Sequence, residues 1–180
     1  MRRPAPCIFV RLTWALVLAA LVALPAALPA AARAADGAPG AGSEQAAWVE
    51  RAIDGDTVAL ATGRHLRYIG IDAPEVRRRE HGAWVVDPEP FGLAALAENR
   101  RLVEGRPVRL RFDVERTDRF GRLLAYVYVG DLMVNEHLVR KGLARAHRYG
   151  RNHDFAVRLE AAERDARDRH LGLWADGAAP

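Results

Sequence analysis

The chain has 180 residues, half of them apolar, which is enough for one domain with a real core. Its single cysteine, Cys7, excludes an internal disulfide framework and a thiolate metal cage. The formal charge of +4 sets 27 bases against 23 acids, but Arg2, Arg3, Arg11 and Arg33 precede Ala35 and no acid does. Beyond that point the chain is neutral, so the case for bulk attraction to a polyanion is weak, and any grip on phosphate must come from where arginines are placed.

Residues 1–34 have the form of a secretory signal: the basic start Met1-Arg2-Arg3, an apolar run from Leu12 to Ala32, and the small-x-small end Ala32-Arg33-Ala34. The alternative is a membrane anchor. Leu12 to Leu28 is barely long enough to span, and Pro25 and Pro29 interrupt its end. Cys7 lies in the basic region and not where a lipid-attachment cysteine would sit. Residues 35–45 form an Ala/Gly/Pro-rich flexible leader, 46–176 the folded domain, and 177–180 a short tail.

Within the domain, Ala47 to Ile53 and Thr57 to Leu60 are predicted as strands, followed by Arg64 to Ile71 after the turn Thr62-Gly63. Val76 to Pro90 lacks periodicity and is expected to be a long loop. Leu93 to Glu104 is predicted as a helix with Ala95 and Leu102 on one face and Gly105 as its stop. Val108, Leu110, Phe112 and Val114 alternate with charged residues, the pattern of a half-buried strand. Leu123 to Val129 is a further strand, turned by Gly130-Asp131 into Leu132-Met133-Val134. Helices are expected at Asn135 to Lys141 and at His153 to His170, the latter with Phe155, Leu159, Ala162 and Ala166 as its apolar stripe and Asn152 as its cap. This order is not that of a parallel βαβ fold. It fits an α+β domain, mainly β, in which a five-stranded Greek-key barrel of the OB type is packed by three α-helices.

Two acidic segments, Ile53-Asp54-Gly55-Asp56-Thr57 and Arg67-Tyr68-Ile69-Gly70-Ile71-Asp72-Ala73-Pro74-Glu75, put carboxylates where strands meet turns. Hard oxygens of this kind suit calcium or magnesium; zinc or copper is not signalled, with no suitable cysteine and scattered histidines. Taken singly, Asp-Gly-Asp-Thr is also an ordinary turn and Arg67 an ordinary solvated strand residue. A third segment, Arg116-Thr117-Asp118-Arg119-Phe120-Gly121-Arg122, adds guanidinium groups, which grip phosphate with paired hydrogen bonds. A divalent cation, a spare carboxylate and two arginines together suit attack of water on a phosphodiester.

These segments, in this order, resemble the staphylococcal nuclease (thermonuclease) family. The likeness continues through Asp131-Leu132-Met133-Val134-Asn135-Glu136 and Leu138-Val139-Arg140-Lys141-Gly142-Leu143-Ala144 to Gly172-Leu173-Trp174, and covers about Val49 to Ala175. The resemblance implies a calcium-dependent endonuclease acting on DNA and RNA, with single strands preferred, leaving 3′-phosphates. It implies that Asp56, Asp72 and the Ala73 carbonyl hold Ca2+, with Asp54 acting through water. It implies that Glu75 orients or deprotonates the attacking water, and that Arg67 and Arg122 bind the scissile phosphate. Arg119, Phe120, Arg148 and Tyr149 are the implied substrate contacts. Phe120 and Arg119 stand where the family often has tyrosine and lysine, and Arg148 stands near positions where a ring is expected. The expected product of export is a periplasmic or extracellular monomer without a membrane anchor.

The reading from another class is a non-catalytic nucleic-acid-binding module on the same barrel; the complete set Asp56, Arg67, Asp72, Glu75 and Arg122 favours the enzyme. Trp48 and Trp174 read as packing residues, and His137, His153 and His170 as surface or capping residues, with His147 and His153 as candidates to reach the groove. Arg77-Arg78-Arg79 reads as a solvated loop or as a steering contact to a polynucleotide backbone.

Overall fold

A computed structural model of the protein describes residues 42–148 and 150–175. The expected signal, most of the leader, Cys7, Tyr149 and the tail lie outside the described residues. Among the described residues, ten strands and three α-helices follow in chain order: β1 Glu44–Ala52, β2 Thr57–Leu60, β3 His65–Tyr68, β4 Ile71–Asp72, β5 Arg77–Glu80, β6 Ala83–Val86, α1 Gly92–Val103, β7 Pro107–Arg111, β8 Leu123–Val129, β9 Leu132–Met133, α2 Val134–Arg140, β10 Arg145–Ala146 and α3 Ala156–Asp168. A 3-10 turn, Gly172–Trp174, ends the described chain.

The barrel closes because β1 serves two partners. Its first half, Glu44 to Trp48, pairs antiparallel with β7, and its second half, from Val49, pairs with β2. The register shifts between Val49 and Arg51, and this bulge bends the strand from one side of the barrel to the other. β2 pairs with β3, β7 with β8, and β3 runs parallel to β8, so five strands form a closed ring. The expected α+β barrel of the OB type with three helices is the observed architecture.

Every residue of β8 from Leu123 to Tyr128 is buried, because helices cover the face that the barrel interior does not. Leu66, Tyr68, Leu110, Phe112 and Val127 fill the interior, while α2 contributes Leu138 and Val139 and α3 contributes Leu159, Ala162 and Ala166. The Tyr126 and Phe155 rings meet edge-on, with centroids 4.7 Å apart. Buried Asn135 stitches the layers together: it accepts the Val127 N–H at 2.9 Å and donates to the Ile69 carbonyl at 2.8 Å.

Several expectations are corrected. The segment expected as a loop after Val76 contains a hairpin, β5–β6, paired from Arg77↔Val86 to Glu80↔Ala83. Its turn residues His81 and Gly82 both have positive φ, 47° and 87°, the conformation of a tight hairpin turn whose twist matches the strands. Because the hairpin is exposed along most of its length, it has no inside and outside to impose alternation. The strand expected to run on to Val114 ends at Arg111, and Val114 is exposed. Asp113 turns the chain there, accepting its neighbour Val114 N–H, the Tyr126 hydroxyl and the Asp154 N–H. Asn152 does not cap α3, which begins at Ala156; it is buried and pairs both amide groups with the Glu115 backbone. Trp48 is half exposed, whereas Trp174 is packed beneath the Arg167 guanidinium at 3.9 Å.

Candidate active site

The site is organised around Arg67, which β3 places opposite Thr57 of β2. One guanidinium nitrogen pairs with Asp56 Oδ1, and the other donates to Asp72 Oδ1 at 2.6 Å. Asp56 is only 1% exposed, and both of its oxygens are engaged. Oδ1 also accepts the Thr57 hydroxyl at 3.0 Å, and Oδ2 accepts the Ala73 backbone N–H at 2.8 Å. Asp72 is more than half exposed, and Arg67 engages its Oδ1.

Glycine allows the two acidic segments to meet. A Cβ on Gly55 would lie 2.6 Å from the Ala73 Cβ and 2.8 Å from the Ala95 Cβ, so only glycine lets the Asp54–Asp56 turn nest between the Asp72–Glu75 corner and α1. The turn is braced from behind. Its Ile53 and Asp54 N–H groups donate to the Thr57 carbonyl, and buried Asn99 of α1 donates to the Asp54 carbonyl at 2.8 Å while accepting the Tyr68 hydroxyl. Glu75 is fixed through its backbone. Its carbonyl accepts the Glu89 N–H at 2.9 Å, and a Cβ on Gly92 would lie 2.8 Å from that same carbonyl.

The electrostatics are those of an acidic cluster with too little positive charge. Burial pushes Asp56 up to about 6 despite Arg67 and the hydrogen bonds from Ala73 and Thr57. Glu75 is pushed up to about 7, first by burial and then by the Asp54 side chain hydrogen-bonded to it and by the charges of Asp54 and Asp56. Burial works against the charge on Arg67, but Asp56, Asp72 and Glu75 more than offset it and hold the guanidinium protonated.

Three carboxylates, Asp56, Asp72 and Glu75, therefore face one guanidinium, with Asp54 beside Glu75, and all the donors are hard oxygens, a chemistry that fits a divalent cation such as calcium or magnesium. Among the described residues no three acidic, histidine or cysteine side chains form a ready metal cage. Arg67 sits between Asp56 and Asp72. A cation at this place would take few protein oxygens and fill its remaining positions with water or substrate.

Arg122 comes to the site from the turn before β8. Asp118, with a side chain 2% exposed, organises that turn: Oδ1 accepts the N–H groups of Phe120 and Arg122 at 2.9 and 3.0 Å, and Oδ2 accepts Arg122 Nε at 2.6 Å. Burial opposes the charge on Asp118, but these bonds prevail and its pKa is lowered. Arg67, Asp72, Glu75, Arg119, Phe120 and Arg122 line one cleft of about 250 Å³. Phe120 is exposed, with the Arg119 guanidinium 4.7 Å from its ring centre.

The structure thus brings together every expected residue of the acidic segments and of the arginine turn. Arg148 lines an adjoining hollow, where its Nε donates to Glu160 of α3 at 2.6 Å, and the neighbouring His147 lines both that hollow and the cleft. His137 bridges α1 and α2 through Glu98, 2.7 Å away. Two contributors went unremarked in the sequence. Asp118 is four residues before Arg122 in a glycine-containing turn, a spacing that could have flagged it. Asn99 had no local signal, because its partners are 31 and 45 residues away.

Comparison with known proteins agrees with this geometry. Residues 65–176 match the model of the family described as Staphylococcal nuclease homologue. The chain is 36% identical over 129 residues to the thermonuclease of Staphylococcus intermedius, covering 70% of this chain and 74% of that protein. It is likewise 36% identical over 137 residues to the thermonuclease of Staphylococcus hyicus, covering 74% of this chain and 78% of the relative. Endonuclease YncB of Bacillus subtilis (strain 168) is 36% identical over 131 residues, or 70% of this chain and 60% of the relative. A closed five-stranded barrel, a cleft joining two arginines to a carboxylate cluster, and these similarities together place the chain in the staphylococcal nuclease family.

Proposed function

We propose that the protein is an exported, calcium-dependent nuclease that hydrolyses phosphodiester bonds of DNA and RNA, with single strands preferred and 3′-phosphates as products. The observation that carries this reading is the convergence of Arg67, Arg122, Asp72 and Glu75 on one cleft above buried Asp56.

Asp56 and Asp72, with the Ala73 carbonyl, would hold the cation, with Asp54 acting through water. Bound there, calcium supplies a hard positive charge against which phosphate charge can develop. Arg67 and Arg122 approach the phosphate from β3 and from the β8 turn, and their forked donors hold its non-bridging oxygens. Charge on those oxygens grows as water adds, so both guanidinium groups bind the transition state more tightly than the ground state. Glu75 orients the attacking water and accepts its proton; the P–O5′ bond breaks, the 5′ oxygen leaves and is protonated from solvent, and the phosphate stays on the 3′ oxygen. Burial and neighbouring acids raise its proton affinity above that of an ordinary carboxylate, which makes it a better base when ionised. Arg119 and Phe120 border the cleft as contacts to the adjoining nucleotide, and Tyr149 remains a stacking residue of the proposal.

Export is supported by the form of residues 1–34. Among the described residues no helix is long and apolar enough to cross a membrane.

The test is incubation of the purified protein with single-stranded DNA and with RNA, in calcium and then in excess chelator, with end-group analysis of the fragments. Calcium-dependent cleavage leaving 3′-phosphates is expected. A folded protein that binds the strands and never cuts them would establish the binding-module reading instead.

A further inference from the structure

The exposed hairpin β5–β6 borders a second cleft that shares its inner wall with the first. This cleft, of about 340 Å³, is lined by Glu75 and Arg122 at one end and by Arg51, His65, Arg77 and Trp84 beyond them. Glu75 and Arg122 thus stand between two hollows, one leading towards Phe120 and His147 and the other towards Trp84.

Trp84 is 69% exposed, the most exposed tryptophan among the described residues. A large aromatic ring left in water at the end of a tight two-residue turn contributes nothing to the core. Its position on the hairpin is set by pairing: Trp84 is opposite Arg79, and two residues on Val86 is opposite Arg77, so ring and guanidinium groups share one face. Arg78 and Val85 take the other face, where Arg78 is engaged by Asp87 and Glu80. Among the described residues Arg51 and Arg77 carry no ion pair, which leaves both guanidinium groups available to a phosphate. An exposed indole flanked by free guanidinium groups is a combination suited to a nucleotide of a single strand. The base stacks on the ring and the backbone follows the positive charge. A base inside a duplex already has its faces covered and cannot use it.

Resting on the nuclease reading above, we propose that the Glu75–Trp84 cleft is a second nucleotide subsite: the nucleotide adjoining the scissile phosphate on this side stacks its base on Trp84 and is guided by Arg51 and Arg77. The subsite takes any base, because every base offers a flat face, and it requires an unpaired strand.

The experiment uses the full protein with an oligodeoxynucleotide carrying one cleavable linkage, alongside two versions in which the nucleotide on either side of that linkage is abasic. Trp84→Ala should raise KM roughly ten-fold on the complete strand with kcat within about two-fold, and Trp84→Phe should recover most of the loss. On one of the two abasic strands wild type and Trp84→Ala should become equal, which also identifies the side on which the subsite lies. Equal KM for both proteins on the complete strand would overturn the proposal, as would a loss that persists on both abasic strands. Binding of the same strands in chelator, followed by tryptophan fluorescence, separates this outcome from failure of the nuclease reading. If nothing is cut, quenching that disappears in Trp84→Phe and on one abasic strand still supports the subsite, and quenching unchanged by either alteration refutes it.

Discussion

Asp56 accepts the backbone N–H of Ala73 at 2.8 Å across 17 residues of sequence. This one bond fixes the first acidic segment to the second and leaves Arg67 between their carboxylates. The contact is possible because Gly55 has no side chain. Gly55→Ala should therefore cost about 1–3 kcal/mol of stability by overpacking against Ala73 and Ala95, measured by urea unfolding, and should lower cleavage more than an exposed Gly63→Ala control with its own backbone strain. An unchanged unfolding midpoint would show that the two segments have slack between them.

Arg122 depends on Asp118 for its position. Asp118→Ala removes the acceptor for two backbone N–H groups and the guanidinium at once, and kcat should fall by roughly 10- to 100-fold, less than the roughly 100- to 1,000-fold cost of removing an aligned transition-state donor outright, because Arg122 is loosened and not lost. Asp118→Asn keeps an acceptor oxygen and should recover part of the activity. If Ala and Asn variants lost the same activity, the charge on Asp118, and not its geometry, would be what matters.

The acidic cluster makes a signed prediction about cation removal. In chelator, the raised proton affinities of Asp56 and Glu75 mean that the folded state binds protons more tightly than the unfolded chain. Stability from these groups is fully present below the unfolded values near pH 4 and is lost as pH rises through about 6 to 7. Calcium should restore what ionisation removes, so its effect on Tm should be larger at pH 8 than at pH 5. A calcium-induced shift that is the same at both values would argue against these carboxylates as its site.

Glu98 predicts the opposite limb. Hydrogen bonding from Arg101 pushes it down to about 2; burial opposes this, and His137 adds to it. Its contribution is present above the unfolded value near 4 and is lost as pH falls towards 2. Glu98→Gln should flatten the acid end of the stability profile and leave cleavage at neutral pH unchanged.

The legible part of the molecule was what local pattern or short motifs encode. The α1 and β8 ranges followed from their apolar spacing, and the carboxylates and arginines from compact segments whose neighbours are close in sequence. The hairpin at Arg77–Val86 was missed because an exposed ribbon need not alternate, and its turn is formed by His81-Gly82 rather than by Asn-Gly or Asp-Gly. Asn99 and Asn152 were not legible as braces, because each acts on backbone groups brought to it only by the closed fold. The true end of β7 was hidden in the same way: Asp113 continues the alternation in sequence but is turned by Tyr126 and Asp154.

The central claim is that Arg67, Glu75 and Arg122 act on a phosphodiester held at the carboxylate cluster. The most direct measurement is the single-turnover rate of calcium-dependent cleavage of a defined single strand by wild type, Arg67→Ala and Glu75→Gln, with circular dichroism confirming that each is folded. Cleavage should be abolished in Arg67→Ala and sharply reduced in Glu75→Gln, while strand binding in Glu75→Gln is retained. Folded variants that cut at the wild-type rate would contradict the account.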